Sequence, residues 1–223
     1  MKHLSHYIGE QVVVEISGHK LLIGILIDIG TDIIVIYTKD KDFYYVPIFH
    51  IQKVKIPRLD ETEDIAKPEN TPINTHTDEI SLRKIVTNAK GLFVELFVTS
   101  KNSIHGYITN IMNDYIVFYS PVFKTMFIPF QHLKWLIPYN QNQTPYGLDK
   151  QNFPVNPSTI TLSRTFEEQV KKLQGKMVVF DLGDDKDKIG QLKNVKDNII
   201  ELLTAREETI FSNTRHIKTL HFS

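Results

Sequence analysis

The chain of 223 residues contains no cysteine, which excludes disulfide frameworks, thiolate metal sites and cysteine nucleophiles. It has no excess of either charge, since Lys+Arg and Asp+Glu both count 26. A general nucleic-acid binder carries a basic excess, so nucleic acid is an unfavoured partner. Neutrality also removes the repulsion that keeps proteins apart, which favours self-association. No long hydrophobic run is present. The longest, residues 21–29, is interrupted by Gly24 and Asp28 and falls far short of the ~20 residues that span a bilayer. Residues 1–9 have no apolar core of a signal peptide. The expectation is a soluble protein made in the cytoplasm, without a membrane partner. The phosphate-loop GxxxxGK(S/T), the dinucleotide GxGxxG opening a helix and the zinc-binding HExxH are all missing. No catalytic residue, cofactor or metal-ligand set is assigned, and a non-enzymatic protein is expected.

What is present is a threefold repeat. Gly9, Gly24 and His50 are separated by 15 and 26 residues; Gly91, Gly106 and His132, then Gly175, Gly190 and His216, keep the same separations. Asp32, Asp114 and Asn198 each follow the second glycine by 8 residues. A period of 82 to 84 residues exceeds the about 20–50 of a solenoid unit. It fits a small module plus a linker. The expected organisation is three modules, 1–56, 80–137 and 161–223, joined by linkers 57–79 and 138–160. Modules of this size lie near the lower limit for independent folding, so each is expected to lean on its neighbours or on a partner chain.

Within the first module, residues 11–16, 21–29, 33–38, 43–46 and 51–56 read as strands, by β-branched and aromatic content and by turn residues between them. The counterparts are 94–98, 104–111, 115–119, 126–128 and 133–137, then 177–182, 189–195, 199–204, 208–211 and 217–222. A glycine inside a strand marks a bulge, a bend or a close backbone approach. Gly24, Gly106 and Gly190 occupy one place in three divergent copies, so a required bend is expected there. Five short strands with a bent second strand predict a small curved barrel. Leu82, Val86 and Ala89 align with Phe166, Val170 and Leu173 at the spacing of one helix face, and Thr165 with Glu168 forms a capping-box pattern. Leu4 and Tyr7 hold the matching places in a short lead-in to the first module. The linkers are rich in Pro, Asn, Thr and charge; the acidic run Asp60, Glu61, Glu63, Asp64 and Glu69 reads as a solvated segment. About 23 residues extend to at most roughly 75 Å.

A helix followed by five strands, the second bent at glycine, resembles the Sm/Hfq fold. Ser17-Gly18-His19-Lys20-Leu21-Leu22-Ile23-Gly24 is similar to its first motif, and Thr31-Asp32-Ile33-Ile34-Val35-Ile36 to its acidic turn and third strand. The segments Phe49-His50-Ile51-Gln52-Lys53-Val54, Gln131-His132-Leu133-Lys134-Trp135-Leu136 and Arg215-His216-Ile217-Lys218-Thr219-Leu220 resemble the last strand of the module repeated in the spore coat protein B family of Bacillus. The Gly-Gly-Pro-Glu turn of that family's longer members is replaced here by Ser17-Gly18-His19-Lys20, and the sequence stops after the third module without their Ser/Lys-rich tail. The fold class implied is mainly β: three tandem Sm-like five-stranded barrels, each with a short N-terminal helix. The function implied is structural, in a spore coat supplied from the mother-cell cytoplasm, with other coat proteins as partners. In Sm-like folds the fourth strand of one barrel pairs with the fifth of the next, so two such chains are expected to close a pseudo-hexameric ring. The alternative is an RNA-binding protein of the Sm/Hfq type.

His50, His132 and His216 are the sharpest candidates for chemistry. The lysine that accompanies this histidine in Hfq is replaced by Phe49, Gln131 and Arg215, so the resemblance carries its RNA site over poorly. One cation in three copies is a thin supply of phosphate contacts. The expectation is that each imidazole caps its corner by hydrogen bonding to the backbone. Asp181, Asp184, Asp185 and Asp187 lack calcium-loop spacing and are expected to form a solvated turn. Most aromatics near the fourth and fifth strands are assigned to the core; Phe43, Phe49 and Trp135 are the candidates for outward-facing interface anchors.

Overall fold

The computed structural model describes residues 2–68, 70–73, 80–98, 103–140, 143, 145–147 and 160–222. The first repeat forms β1 (Gln11–Ile16), β2 (Lys20–Ile29), β3 (Ile33–Tyr37), β4 (Phe43–Pro47) and β5 (Ile51–Lys55). The second forms β6 (Phe93–Phe97), β7 (Ser103–Ile111), β8 (Tyr115–Ser120), β9 (Lys124–Pro129) and β10 (Trp135–Pro138). The third forms β11 (Met177–Phe180), β12 (Ile189–Lys196), β13 (Ile199–Leu203), β14 (Thr209–Asn213) and β15 (Leu220–Phe222). Two short helices precede the later repeats, α1 (Leu82–Asn88) and α2 (Phe166–Lys171). The hydroxyls of Ser81 and Thr165 accept the Lys84 and Glu168 N–H groups and cap them. The first repeat has only a 3-10 turn, Lys2–Tyr7. Gly9, Gly91 and Gly175 follow these segments with φ of +90°, +83° and +84°, the left-handed conformation in which a helix stops and for which glycine carries no steric penalty.

All fifteen strands join one antiparallel sheet, in the order β14-β13-β12-β11-β15-β9-β8-β7-β6-β10-β4-β3-β2-β1-β5. Within each repeat the fifth strand pairs with the first and the fourth with the third. The small five-stranded barrels expected of the repeats are not closed among the described residues. As the resemblance implied, the fourth strand of one repeat pairs with the fifth of the next, β4 with β10 and β9 with β15. The middle repeat has both outer strands paired with its neighbours, whereas β5 of the first repeat and β14 of the third are the ends of the sheet.

The second-strand glycines permit a close backbone approach. A Cβ on Gly24, Gly106 or Gly190 would strike the carbonyl oxygen of Tyr37, Tyr119 or Leu203 on the adjacent third strand. The irregularity itself comes three residues later. The register shifts between Leu26 and Asp28, between Ile108 and Asn110, and between Leu192 and Asn194, so one residue bulges at the same place in each copy.

The apolar cores straddle the repeats. One joins Ile33, Val35 and Tyr45 to Leu82, Val86, Leu96 and Leu136. Another joins Tyr115, Val117 and Phe127 to Phe166, Val170, Ile200 and Leu220. A third joins Val12, Val14 and Ile36 to Phe97 and Trp135. Part of the segment expected to be a free linker is built into this packing: Ile73 is buried against the first core and the Glu63 N–H donates to Gln11. Of the acidic run, Glu61 pairs with Lys55 and Arg58, and Glu63 with Lys39. Glu69, residues 74–79 and most of the second linker lie outside the described residues.

Candidate functional site: the junctions between repeats

Each junction is built from the same three devices. The first is a corner. The 3-10 turns Ile48–His50, Phe130–His132 and Thr214–His216 begin with N–H groups that donate to the carbonyls of Asp32, Asp114 and Asn198 at 2.8, 2.9 and 2.8 Å. The second is a clasp between repeats. The Asp32 carboxylate accepts the Leu82 N–H at 2.7 Å, and Asp114 accepts the Phe166 N–H at 2.8 Å, each at the start of the following repeat's helix. Alongside, Thr31 N–H donates to Ile80 O and Asn113 N–H to Arg164 O. The third is the strand ladder, with Tyr45 opposite Leu136 and Phe127 opposite Leu220.

The corner histidines face their neighbours. His132 Nε2 donates to the Arg215 carbonyl at 2.8 Å, and the Gln131 amide donates to the same oxygen at 2.9 Å. His50 holds Ser17 Oγ through Nδ1 at 3.0 Å, while its buried Nε2 lies beside the Gln131 backbone without a well-aligned bond. Burial, then the charges of Lys134 and His132, pushes the His50 pKa down to about 4. Burial also lowers His132, against the raising effect of the Arg215 carbonyl. Both are neutral near pH 7; His132 hydrogen-bonds across its junction, whereas the bond of His50 is to Ser17 of its own repeat.

Two concavities open at these joints. One, of about 610 Å³, is lined by residues of all three repeats, among them Phe49, Asp114, Phe130 and Arg215. The other, of about 510 Å³, holds His132, His216, Asp181, Lys188 and Lys218. No group of three or more His, Asp or Glu side chains among the described residues is arranged to hold a metal ion. No helix there is long and apolar enough to cross a membrane.

A sequence comparison extends over this whole arrangement. The chain is 46% identical over 224 residues to a protein of Bacillus subtilis (strain 168) described as "Uncharacterized protein YwrJ", covering 99% of both chains. The chain belongs to the YwrJ family. A family model described as the YwrJ third domain also matches residues 165–220. In this YwrJ-family chain that match runs from the cap of α2 to the first residue of β15, and so contains the Phe166 end of the second junction's clasp and the edge strand β14.

The remaining sequence candidates fall into two groups. Phe43 points inward, buried and 4.7 Å from the Tyr37 ring. Trp135 is buried too, stacked on Phe97 at 4.1 Å and 5°, where the first two repeats of the YwrJ-family chain meet. Phe49 is exposed beside His50 and faces the larger cleft. Asp181, expected in a solvated turn with Asp184, Asp185 and Asp187, is buried. It accepts the Lys218 and Thr219 N–H groups and pairs with Lys188 at 3.0 Å. The strand expected at 217–222 is shorter, Leu220–Phe222, and begins just after these two N–H groups. Sequence reasoning singled out Asp32 and Asp114 as turn residues and missed the clasp. The signal was there: the carboxylate stands in the first two copies, each followed by a helical stretch, and Asn198 in the third.

Proposed function

We propose that this chain is a structural, non-enzymatic protein of the spore coat that self-assembles and docks other coat proteins through Sm-like modules. The observation that carries the reading is the ladder between repeats. The fourth strand of one repeat joins the fifth of the next twice over, and the outer edges of the sheet are one strand of each kind, β14 and β5. That is the linkage by which Sm-like barrels build rings, and three on one chain make half of a six-module ring closed by two chains. The family relative comes from Bacillus, the genus of the coat protein B family that the last-strand segments resemble.

A fluorescent fusion in a sporulating Bacillus tests the cellular part of this reading. The expected result is expression in the mother cell and fluorescence on the spore surface. Diffuse fluorescence in vegetative cells and bare spores would overturn it. Light scattering at micromolar concentration tests the ring, which a strict monomer would sink.

One observation favours the RNA-binding alternative. Burial first, then Lys218 and Lys20, lowers the Lys134 pKa, so three lysines crowd one place. Their number is small for phosphate binding, and His132 is already committed to the Arg215 carbonyl. Retention of uridine- or adenine-rich RNA at low salt, lost on Lys134→Ala, would favour that reading over the structural one.

A further inference from the structure

The two internal junctions share one register, and the outer ends of the sheet carry its two unmatched halves. Tyr45 and Phe127, on β4 and β9, stand opposite Leu136 and Leu220. Continuing by the same repeat spacing, the third member of the first pair is Phe211 on β14, and the missing member of the second is Val54 on β5. Their exposure tells the two situations apart. Tyr45 and Phe127 are 1% and 0% exposed, whereas Phe211 is 67% exposed. Ile33 and Tyr115 are fully buried at the start of their third strands, whereas the matching Ile199 is 39% exposed. At the other end Ala89 and Leu173 are buried after their helices, whereas the matching Tyr7 is 39% exposed. Whole strands follow suit. No residue of β14 or β5 is buried, and every residue of β10 is.

We infer that a second copy of this chain supplies the missing half, adding its β5 to β14 with Val54 opposite Phe211. The ladder runs antiparallel, as at both internal junctions. Tyr7 of the second copy then covers Ile199 and Phe211, as Leu173 and Val170 pack with Tyr115 and Phe127 inside the chain. His216 meets the Phe49 carbonyl of the second copy, in the way that His132 meets that of Arg215. On the opposite face Lys55 comes to lie diagonal to Glu208, within reach of a cross-strand ion pair. Lysines on the open β5 edge, Lys53 and Lys55, deter indiscriminate strand addition, so the edge accepts a matched partner rather than any strand. The match is incomplete: Asn198 stands where the internal junctions have the clasp carboxylates Asp32 and Asp114. Glu201 stands where the internal junctions bury Val35 and Val117, which makes the contact between chains weaker than the junctions within one.

The absence of cysteine makes the register directly measurable. This inference rests on the self-assembling reading proposed above. Val54→Cys with Phe211→Cys in one full-length chain, mildly oxidised, is expected to give disulfide-linked dimers or a ladder of multimers. Lys53→Cys with Phe211→Cys is expected to give few, because a one-residue slip turns the side chains to opposite faces. Equal cross-linking of the two variants, or none in either, overturns the register. In the cysteine-free chain, Phe211→Asp is expected to weaken association at least about tenfold while the melting curve at concentrations too low for assembly stays unchanged, and Glu201→Val to strengthen association. Wild-type strength after Phe211→Asp overturns the interface. Linked multimers larger than two would keep the interface and remove the closed ring. A chain that pairs in this register but never reaches spores would remove the coat function and leave the interface standing.

Discussion

The carboxylate of Asp32 accepts a hydrogen bond from the backbone N–H of Leu82, 50 residues further along the chain, and so ties the turn of one repeat to the helix of the next. Asp114 does the same for Phe166. Removing such an acceptor leaves a helix-start N–H without its partner, at a cost of about 1 kcal/mol. Asp114→Ala and Asp32→Ala are each expected to lower the denaturation midpoint accordingly, and Asp114→Asn by less. An Asp114→Ala variant as stable as the parent would show that the clasp contributes nothing.

The two classes of conserved-spacing glycine should respond differently to alanine. Gly106→Ala forces a methyl group into the Tyr119 carbonyl, an overpacking that costs about 1–3 kcal/mol. Gly91 has open space around it and only its φ of +83° against substitution, so Gly91→Ala should cost about 1 kcal/mol. Urea denaturation of the two variants side by side checks the order.

Trp135 is the one tryptophan of the chain, and it sits in the first junction, stacked on Phe97. Its fluorescence should therefore report separation of the first two repeats. Trp135→Ala is expected to destabilise the chain by about 3–5 kcal/mol, and Trp135→Phe by much less, since the stack survives. A fluorescence transition well before loss of far-ultraviolet circular dichroism would show the junction opening ahead of the strands.

Stability should fall with acid before the carboxylates are reached. Burial lowers the pKa of His50, His132 and His221 in the folded chain, His50 to about 4 from 6.5. Above pH 6.5 the imidazoles are neutral in both states and the full stability is present. Below it the unfolded chain binds protons that the folded chain does not, so stability declines as pH falls toward about 4. With allowance for solvent screening at a half-buried group, His50 accounts for about 1–2 kcal/mol of that decline. Melting temperatures of the parent and His50→Gln across this window should converge toward low pH. Parallel curves would remove His50 as the source.

Much of the local structure was legible from residues alone. β-branched runs such as 33–37 announce a strand, and Thr165 with Glu168 announces a helix start, because these preferences act over a few residues. Burial of Ile73 was not legible, since its surroundings in the sequence are polar and the surface that covers it comes from distant strands. Asp181 was misread for the same reason. Four aspartates in seven residues look solvated, and only the return of residues 218 and 219 alongside brings two N–H groups to one of them.

By itself the sequence determined the threefold period, nearly all of the strands, the special place of the second-strand glycines and the two helices. These follow from short-range sterics and backbone hydrogen bonding. The tertiary structure decided that fourth and fifth strands pair between repeats rather than closing each one, that the cores lie at the junctions, and that Phe211 and Val54 are left at open edges. The physical reason is that a strand edge has no local preference for its partner. Three copies of one pattern offer several matching edges, and the choice falls to the arrangement that buries Tyr45, Leu136, Phe127 and Leu220 together with the helices that follow.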